Sequence, residues 1–279
     1  MTTLFVGLAA TVVFVAFASG LVQVKQRALT PIDLMTGTGV PPLVGDPSSP
    51  GAFLSSIAAQ SSARSSSNIL GPRLAATPLQ GAVIVVDAEP DRIAHVLNYT
   101  VECALDPVQS VNVSISSRSY TFQGAHGLAP QWQVRELDQD AQEMVSACII
   151  ARMTFWDEVG IPVSIRGNAP GLVPAGDEQL EFPVLEGAFW GNLFLQDPVA
   201  YTCSHKAALL NSYAHLRVCT TGVPVDYDGS TWSCGFVQSV GECNEHCDPY
   251  PTMAPTIYGT CLGNPHVITT YLANATKSP

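Results

Sequence analysis

Residues 203–261 read CSHKAALLNSYAHLRVCTTGVPVDYDGSTWSCGFVQSVGECNEHCDPYPTMAPTIYGTC. They hold six of the eight cysteines, Cys203, Cys219, Cys234, Cys243, Cys247 and Cys261, with glycine, proline and tyrosine between them. Thiols at such density, in a stretch of short apolar runs and many turn residues, read as a disulfide framework and hence as an oxidising compartment. The six allow 15 pairings among themselves, and spacing does not choose between them. The two remaining cysteines are Cys103 and Cys148, and pairing them would staple a helix to a sheet. The rival chemistry is a metal site. Cys243-Asn244-Glu245-His246-Cys247 packs two thiols and an imidazole into five residues, with His205 and His215 upstream. Structural zinc prefers paired knuckles of this kind, and the chain has one. The sequence therefore assigns these residues to disulfides, with no metal and no cofactor.

Charge excludes one class of partner. Of 279 residues only 13% are charged, and the net charge is −11. Residues 1–80 carry Lys25, Arg27, Arg64 and Arg73 against Asp33 and Asp46, so the rest carries 8 basic and 21 acidic residues, a formal −13. Nucleic-acid binding rests on cationic contacts with phosphates, so no nucleic-acid partner is expected. Acidity of this degree favours solubility.

Working towards the N-terminus, residues 28–80 hold nine serines, seven prolines and one aromatic residue, Phe53. That composition buries too little apolar surface to offset chain entropy, and residues 25–80 read as a Ser/Pro-rich linker. Leu4 to Val24, LFVGLAATVVFVAFASGLVQV, contains no charge. Twenty-one helical residues rise about 30 Å, enough to span a bilayer. Ala16-Phe17-Ala18 is an acceptable small-x-small cleavage site, so residues 1–24 read as a signal peptide or a membrane anchor. Lys25 and Arg27 would favour a cytoplasmic C-terminus if the segment stayed in place. Eight cysteines outweigh two basic residues, and export is the expectation. The membrane is a partner only through this segment, if it is not cleaved.

Residues 81–279 are expected to form one disulfide-bonded domain. Ala82–Val86 is a short β-branched run, Val96–Leu105 alternates loosely, and Val111–Ile115 alternates cleanly. Asp106-Pro107 would turn the second of these into the third as an antiparallel pair, followed by a strand at Tyr120–Phe122. One main helix is expected over about 138–153. Asp138 suits its N-cap, and Ala141, Met144, Val145, Cys148, Ile149 and Met153 form an apolar stripe. Further strands are expected at Val163–Gly167, Phe182–Leu185, Leu193–Leu195, around Cys219 and Cys234, and at Val267–Leu272. A short helix is expected over 204–212. The fold class is thus α+β and β-rich, mainly an antiparallel sheet or sandwich with one main helix.

The segments ECAL (102–105), YTFQGAHGLAPQW (120–132), VSACIIAR (145–152), VSIRG (163–167) and EGAFWGNLF (186–194) resemble a family of exported, cysteine-containing proteins of myxobacterial type. The resemblance spans roughly Tyr99 to Leu272. It implies secretion and cysteine pairing. No activity is attached to that family, so it implies no catalytic residue.

No G-x-S-x-G, H-E-x-x-H, Ser-x-x-Lys pair or glycine-rich phosphate loop occurs, so no catalytic residue is assigned. His95 and His126 read as ordinary polar residues in or near strands. Asp226-Tyr227-Asp228-Gly229-Ser230 opens like a calcium loop but lacks the later ligands, and reads as an acidic turn. Asn98-Tyr99-Thr100, Asn112-Val113-Ser114 and Asn274-Ala275-Thr276 match the N-glycosylation pattern, which matters only in a host that glycosylates. The best binding candidates are Glu186, Trp190 and Asn192, in the expected loop Glu186–Asn192. There an aromatic face would stack on a ligand while the carboxylate and amide orient hydroxyls. Two functions follow: an exported, non-catalytic cell-surface or secreted module, or a secreted hydrolase whose active site is assembled from distant residues. N-terminal sequencing of protein recovered from its host is expected to start beyond the apolar segment, or to find the chain membrane-bound through it. Met1 on a cytoplasmic protein would overturn the export argument.

Overall fold

The computed structural model describes residues 70–85, 90–152, 162–174, 176–196, 198–206, 208, 224–227, 230–233, 237–251 and 256–274. The expected signal segment, nearly all of the linker, and Cys219 and Cys234 lie outside them. Among the described residues no helix is long and apolar enough to cross a membrane.

The fold is mixed α/β and β-rich, with antiparallel and parallel pairings. Helix α1 (Leu70–Ala75) leads into β1 (Val83–Ile84), and helix α2 (Pro90–Ala104) follows. Strands β2 (Ser110–Ile115) and β3 (Arg118–Gln123) form a hairpin, and β1 pairs with β2 in parallel. The hairpin turn is Ser116-Ser117, both at positive φ (44° and 73°), the twist that two-residue hairpin loops require. A 3₁₀ turn at Pro130–Gln133 precedes helix α3 (Gln139–Arg152). Then come β4 (Val163–Arg166), a 3₁₀ turn at Pro170–Leu172, the single turn α4 (Glu178–Glu181), β5 (Val184–Asn192) and β6 (Val199–Ser204). The hairpin β7 (Pro224–Tyr227) and β8 (Ser230–Ser233) is followed by β9 (Val237–Glu242), the turn α5 (Cys243–His246), β10 (Cys247–Pro249), β11 (Tyr258–Cys261) and β12 (Ile268–Leu272). The main sheet has the order β4-β12-β5-β6-β9, antiparallel except for the parallel β6–β9 edge.

β5 sits in the middle of that sheet, and from Glu186 to Asn192 every residue is buried. Its side chains alternate between two cores. Phe189 belongs to a large cluster with Cys148, Ile149, Val145 and Trp132 on the helix side. Ala188 and Trp190 belong to a smaller one with Cys203, Cys243, Cys247, Tyr258, Cys261 and Val267. In the large cluster Trp132 is fully buried, donates its indole N–H to the Thr77 carbonyl at 3.0 Å and meets Phe194 edge-on at 5.6 Å. α3 starts where its cap requires, with the Asp138 carboxylate accepting the Ala141 N–H at 2.8 Å.

Several expectations are corrected. Val96–Leu105 is not a strand. Ile93, Leu97, Val101 and Ala104 recur at helical spacing and are all buried, and Pro90 occupies the helix start, where its missing N–H costs nothing. Among the described residues there are therefore two long helices rather than one main helix, and Asp106-Pro107 joins helix to strand. The run at Ala82–Val86 reduces to a two-residue edge strand with Val83 70% exposed. α3 does not show a single stripe, because every residue from Val145 to Arg152 is buried. The segments 182–185 and 193–195 are not separate strands around a loop, since Val184–Asn192 is one continuous strand. The expected helix at 204–212 lies largely outside the described residues.

Glycine is required inside β5. A Cβ on Gly187 would lie 2.0 Å from the Cys203 carbonyl of the neighbouring strand. Gly187→Ala is expected to push β5 from β6 and destabilise the fold by about 1–3 kcal/mol, the usual range for overpacking. A chemical-denaturation midpoint equal to that of the parent would refute this reading of the sheet.

Candidate functional site

The residues proposed for ligand binding do not meet. Glu186 is the extra residue of a bulge, between the pairs Thr270–Gly187 and Tyr271–Leu185, and is 5% exposed. Trp190 is 2% exposed and stacks on Tyr201 at 5.8 Å on the cysteine side of the sheet. Asn192 serves the opposite side, where its amide donates to Gln142 Oε1 at 3.4 Å and its carbonyl accepts the Phe194 N–H at 2.9 Å. Trp190 and Asn192 thus engage different elements, Tyr201 on β6 and Gln142 on α3. The Asp226–Ser230 segment forms the facing ends of β7 and β8, with Tyr227 opposite Ser230, while Asp228 and Gly229 lie outside the described residues.

The polar side chains that do converge lie where α2 meets α3. His95, Asn98, Tyr99 and Glu102 are spaced i, i+3, i+4 and i+7, so α2 presents them as one half-buried stripe. Arg152, at the last turn of α3, lies across it with its side chain 2% exposed and forms an ion pair with the Glu102 carboxylate. The guanidinium covers the Tyr99 ring at 4.9 Å, a cation–π contact, and reaches the Tyr99 carbonyl at 3.5 Å and Cys103 Sγ at 3.6 Å. The Asn98 amide donates to the other Glu102 oxygen at 2.6 Å, and His95 meets Tyr99 edge-on at 5.2 Å.

His126 completes the group from the loop after β3. Its backbone N–H donates to the Glu102 carbonyl at 2.8 Å, and its Nδ1 lies 3.3 Å from the Gly171 carbonyl. A carbonyl only accepts, so Nδ1 carries the proton and the neutral ring keeps its lone pair on Nε2. The contact is tight: a Cβ on Gly171 would fall 1.7 Å from the His126 carbonyl. Burial, then the Arg152 charge, pulls the His126 pKa below its ordinary value. The site thus offers a neutral imidazole, with Nε2 as its acceptor, near a carboxylate held by a buried guanidinium. This group is hidden in the sequence when the segment is read as a strand, where spacing of three and four scatters side chains over both faces.

A second buried cation is structural. Arg166 on β4 is 1% exposed, donates from Nε to Ser164 Oγ at 2.8 Å and from Nη2 to the Phe182 carbonyl at 2.9 Å, and stacks on Tyr271 at 3.8 Å. It ties β4 and β12 to the chain after α4. Burial lowers its pKa and raises that of Tyr271.

The six described cysteines are bonded Cys103–Cys148, Cys203–Cys243 and Cys247–Cys261, with Cα separations of 5.9, 4.9 and 4.0 Å. None of the described cysteines is free. The first bond joins α2 to α3, helix to helix rather than helix to sheet. The second joins β6 to α5, and the third crosses the β10–β11 ladder. Cys203 Sγ and Cys247 Sγ, from different disulfides, are 3.4 Å apart.

No protein-family model matches the chain, and no curated protein and no solved structure is similar to it.

The lowered His126 pKa has a definite sign. The unfolded chain takes up a proton near pH 6.5 and the folded one only at lower pH. His126 therefore contributes stability that is complete above about pH 6.5 and is lost as pH falls through the folded pKa. Unfolding midpoints in urea are expected to decline over that window, and His126→Asn to flatten the decline. An unchanged slope in His126→Asn would remove His126 as its source.

Proposed function

We propose that the protein is exported and acts outside the cytoplasm as a non-catalytic cell-surface or secreted module, in a structural, adhesive or ligand-binding role. The set of disulfides carries this reading. They close loops of 45, 40 and 14 residues, and the chain-entropy account gives about 4, 4 and 3 kcal/mol for these lengths. That total is comparable with the whole net stability of a domain, so folding depends on a compartment that oxidises thiols. The uncharged segment Leu4–Val24 and the acidic balance of the remainder support the same reading. The ligand-facing element in this proposal is the half-buried stripe of α2 with His126 and Arg152.

One observation favours the alternative of a secreted hydrolase. His126 holds its Nε2 lone pair as an acceptor beside Glu102, and a general base needs that state near neutral pH. A panel of nitrophenyl esters and glycosides decides between the two. Turnover lost in His126→Ala, with the fold retained, would establish the enzyme.

The disulfides set the order in which the fold fails on reduction. Of the eight buried residues in the smaller cluster four are cysteines, so reduction leaves that layer with only Ala188, Trp190, Tyr258 and Val267 to hold it. Alkylation of native protein followed by mass spectrometry is expected to modify no thiol at Cys103, Cys148, Cys203, Cys243, Cys247 or Cys261. With reductant, limited proteolysis is expected to cut within 237–261 before α3. Modification of all six in folded protein would overturn the export reading.

A further inference from the structure

The two disulfides of the smaller core pack against each other through the sulfurs of Cys203 and Cys247. Cys203 comes from the end of β6, Cys243 and Cys247 bracket the turn α5, and Cys261 closes β11 directly opposite Cys247 in the ladder. The sulfurs of Cys203, Cys243 and Cys247 all lie within 4.8 Å of one another, and Cys203 and Cys247 approach to 3.4 Å although no bond joins them. A tetrahedral zinc site with Zn–S bonds of about 2.3 Å sets its sulfurs about 3.8 Å apart. The Cys203–Cys247 separation of 3.4 Å is already close to that spacing, whereas the sulfurs within each disulfide, Cys203–Cys243 and Cys247–Cys261, reach it only once the bond is opened. All four side chains are buried, between 0% and 8% exposed, so the site excludes water.

We propose that this group is a redox-exchanged metal site: two disulfides when oxidised, and a four-thiolate centre for Zn²⁺ when reduced. A dithiol reductant supplies the electrons. Each protein disulfide accepts two electrons and two protons, giving two thiols, while one dithiol becomes a disulfide; two equivalents open both bonds. Zn²⁺ then displaces the four thiol protons to solvent and is held by four thiolates. The chemical need for the metal follows from the surroundings. Four thiols crowded in an apolar layer cannot ionise, because burial favours the neutral form, unless a cation compensates them. Without a cross-link the layer keeps only four other buried residues, whereas a metal joins β6, α5, β10 and β11 again at one point. The turn α5 brings Cys243 and Cys247 to one side as a three-residue-spaced knuckle, and Cys203 and Cys261 supply the facing pair from strand ends.

The test uses the full chain, reduced with a phosphine under anaerobic conditions and titrated with Co²⁺ and then Zn²⁺. One equivalent of Co²⁺ is expected to give the visible bands of tetrahedral thiolate coordination, and one equivalent of Zn²⁺ to bleach them. Cys203→Ser/Cys247→Ser is expected to lose the bands, while Cys103→Ser/Cys148→Ser and Cys219→Ser/Cys234→Ser keep them. Because reduced chains can fail to fold, protease resistance of residues 237–261 is followed in parallel, and Zn²⁺ is expected to restore it. Uptake no greater than that of Cys203→Ser/Cys247→Ser would overturn the metal site, and so would bands lost only in Cys219→Ser/Cys234→Ser. Neither result touches the export reading, which the thiol count of unreduced native protein decides separately.

Discussion

Everything in the structure follows from the burial of β5 on both faces. A central strand flanked by β12 and β6 satisfies its backbone within the sheet, but its side chains need two covers. The chain provides a different kind for each. On one side α3 lies along the strand, with Ser146 Oγ accepting the Leu193 N–H at 2.8 Å and Gln142 engaging Asn192. The other side is covered by short, turn-rich segments whose cohesion comes from cross-links. The start of α3 also reaches the loop between β11 and β12, where Asn264 donates to Glu143 at 3.0 Å and His266 meets Asp140 at 3.2 Å. Both covers are therefore tied at one end of the sheet.

The two covers are unequal in physical origin. The helix side gathers more than thirty buried apolar residues about Trp132, and hydrophobic burial on that scale needs no help from covalent bonds. The cysteine side has a small cluster, half of it sulfur, beneath a ladder of three pairs with a register shift at Pro249. Entropy decides there. Segments with so little apolar surface stay folded because cross-links remove the open chain's alternatives. This explains why cysteines concentrate after residue 200, where long apolar runs are absent.

The parts of this arrangement legible in the sequence are those where one physical signal acts alone. Asp138 before an apolar run marked the start of α3, and clean alternation at Val111–Ile115 marked β2, which carries buried residues at every second position. Two-sided burial erased that alternation in β5, so an unbroken strand looked like a loop between fragments. α2 was hidden for another reason. Its apolar stripe begins at Ile93, upstream of the window Val96–Leu105, whose Tyr, Thr and Val suggest a strand when read alone. Thr100 meets the helix by donating its hydroxyl to the Val96 carbonyl four residues back, at 2.9 Å. Once that helix is known, the stripe His95, Asn98, Tyr99, Glu102 is plain. Arg152 and His126 were beyond reach, because they join it from 50 and 24 residues away.

The disulfide of the helix side then acquires a purpose that its energy does not explain, since that core is already large. Cys148 is four residues before Arg152 on α3, and Cys103 follows Glu102 on α2. The bond therefore fixes the two helical turns that carry the ion pair, and sets their register to within a side chain. Arg152 is buried and its guanidinium reaches Glu102, the Tyr99 ring and Cys103 together, a geometry that a shift of one helical turn, about 5.4 Å, would abolish. A buried charge that loses its partner is expensive, so the pair tolerates no sliding of α2 on α3. Covalent linkage next to a buried ion pair is thus a way of holding position more than a way of adding stability. His126, bonded through its own N–H to the Glu102 carbonyl, takes its position from that same fixed turn.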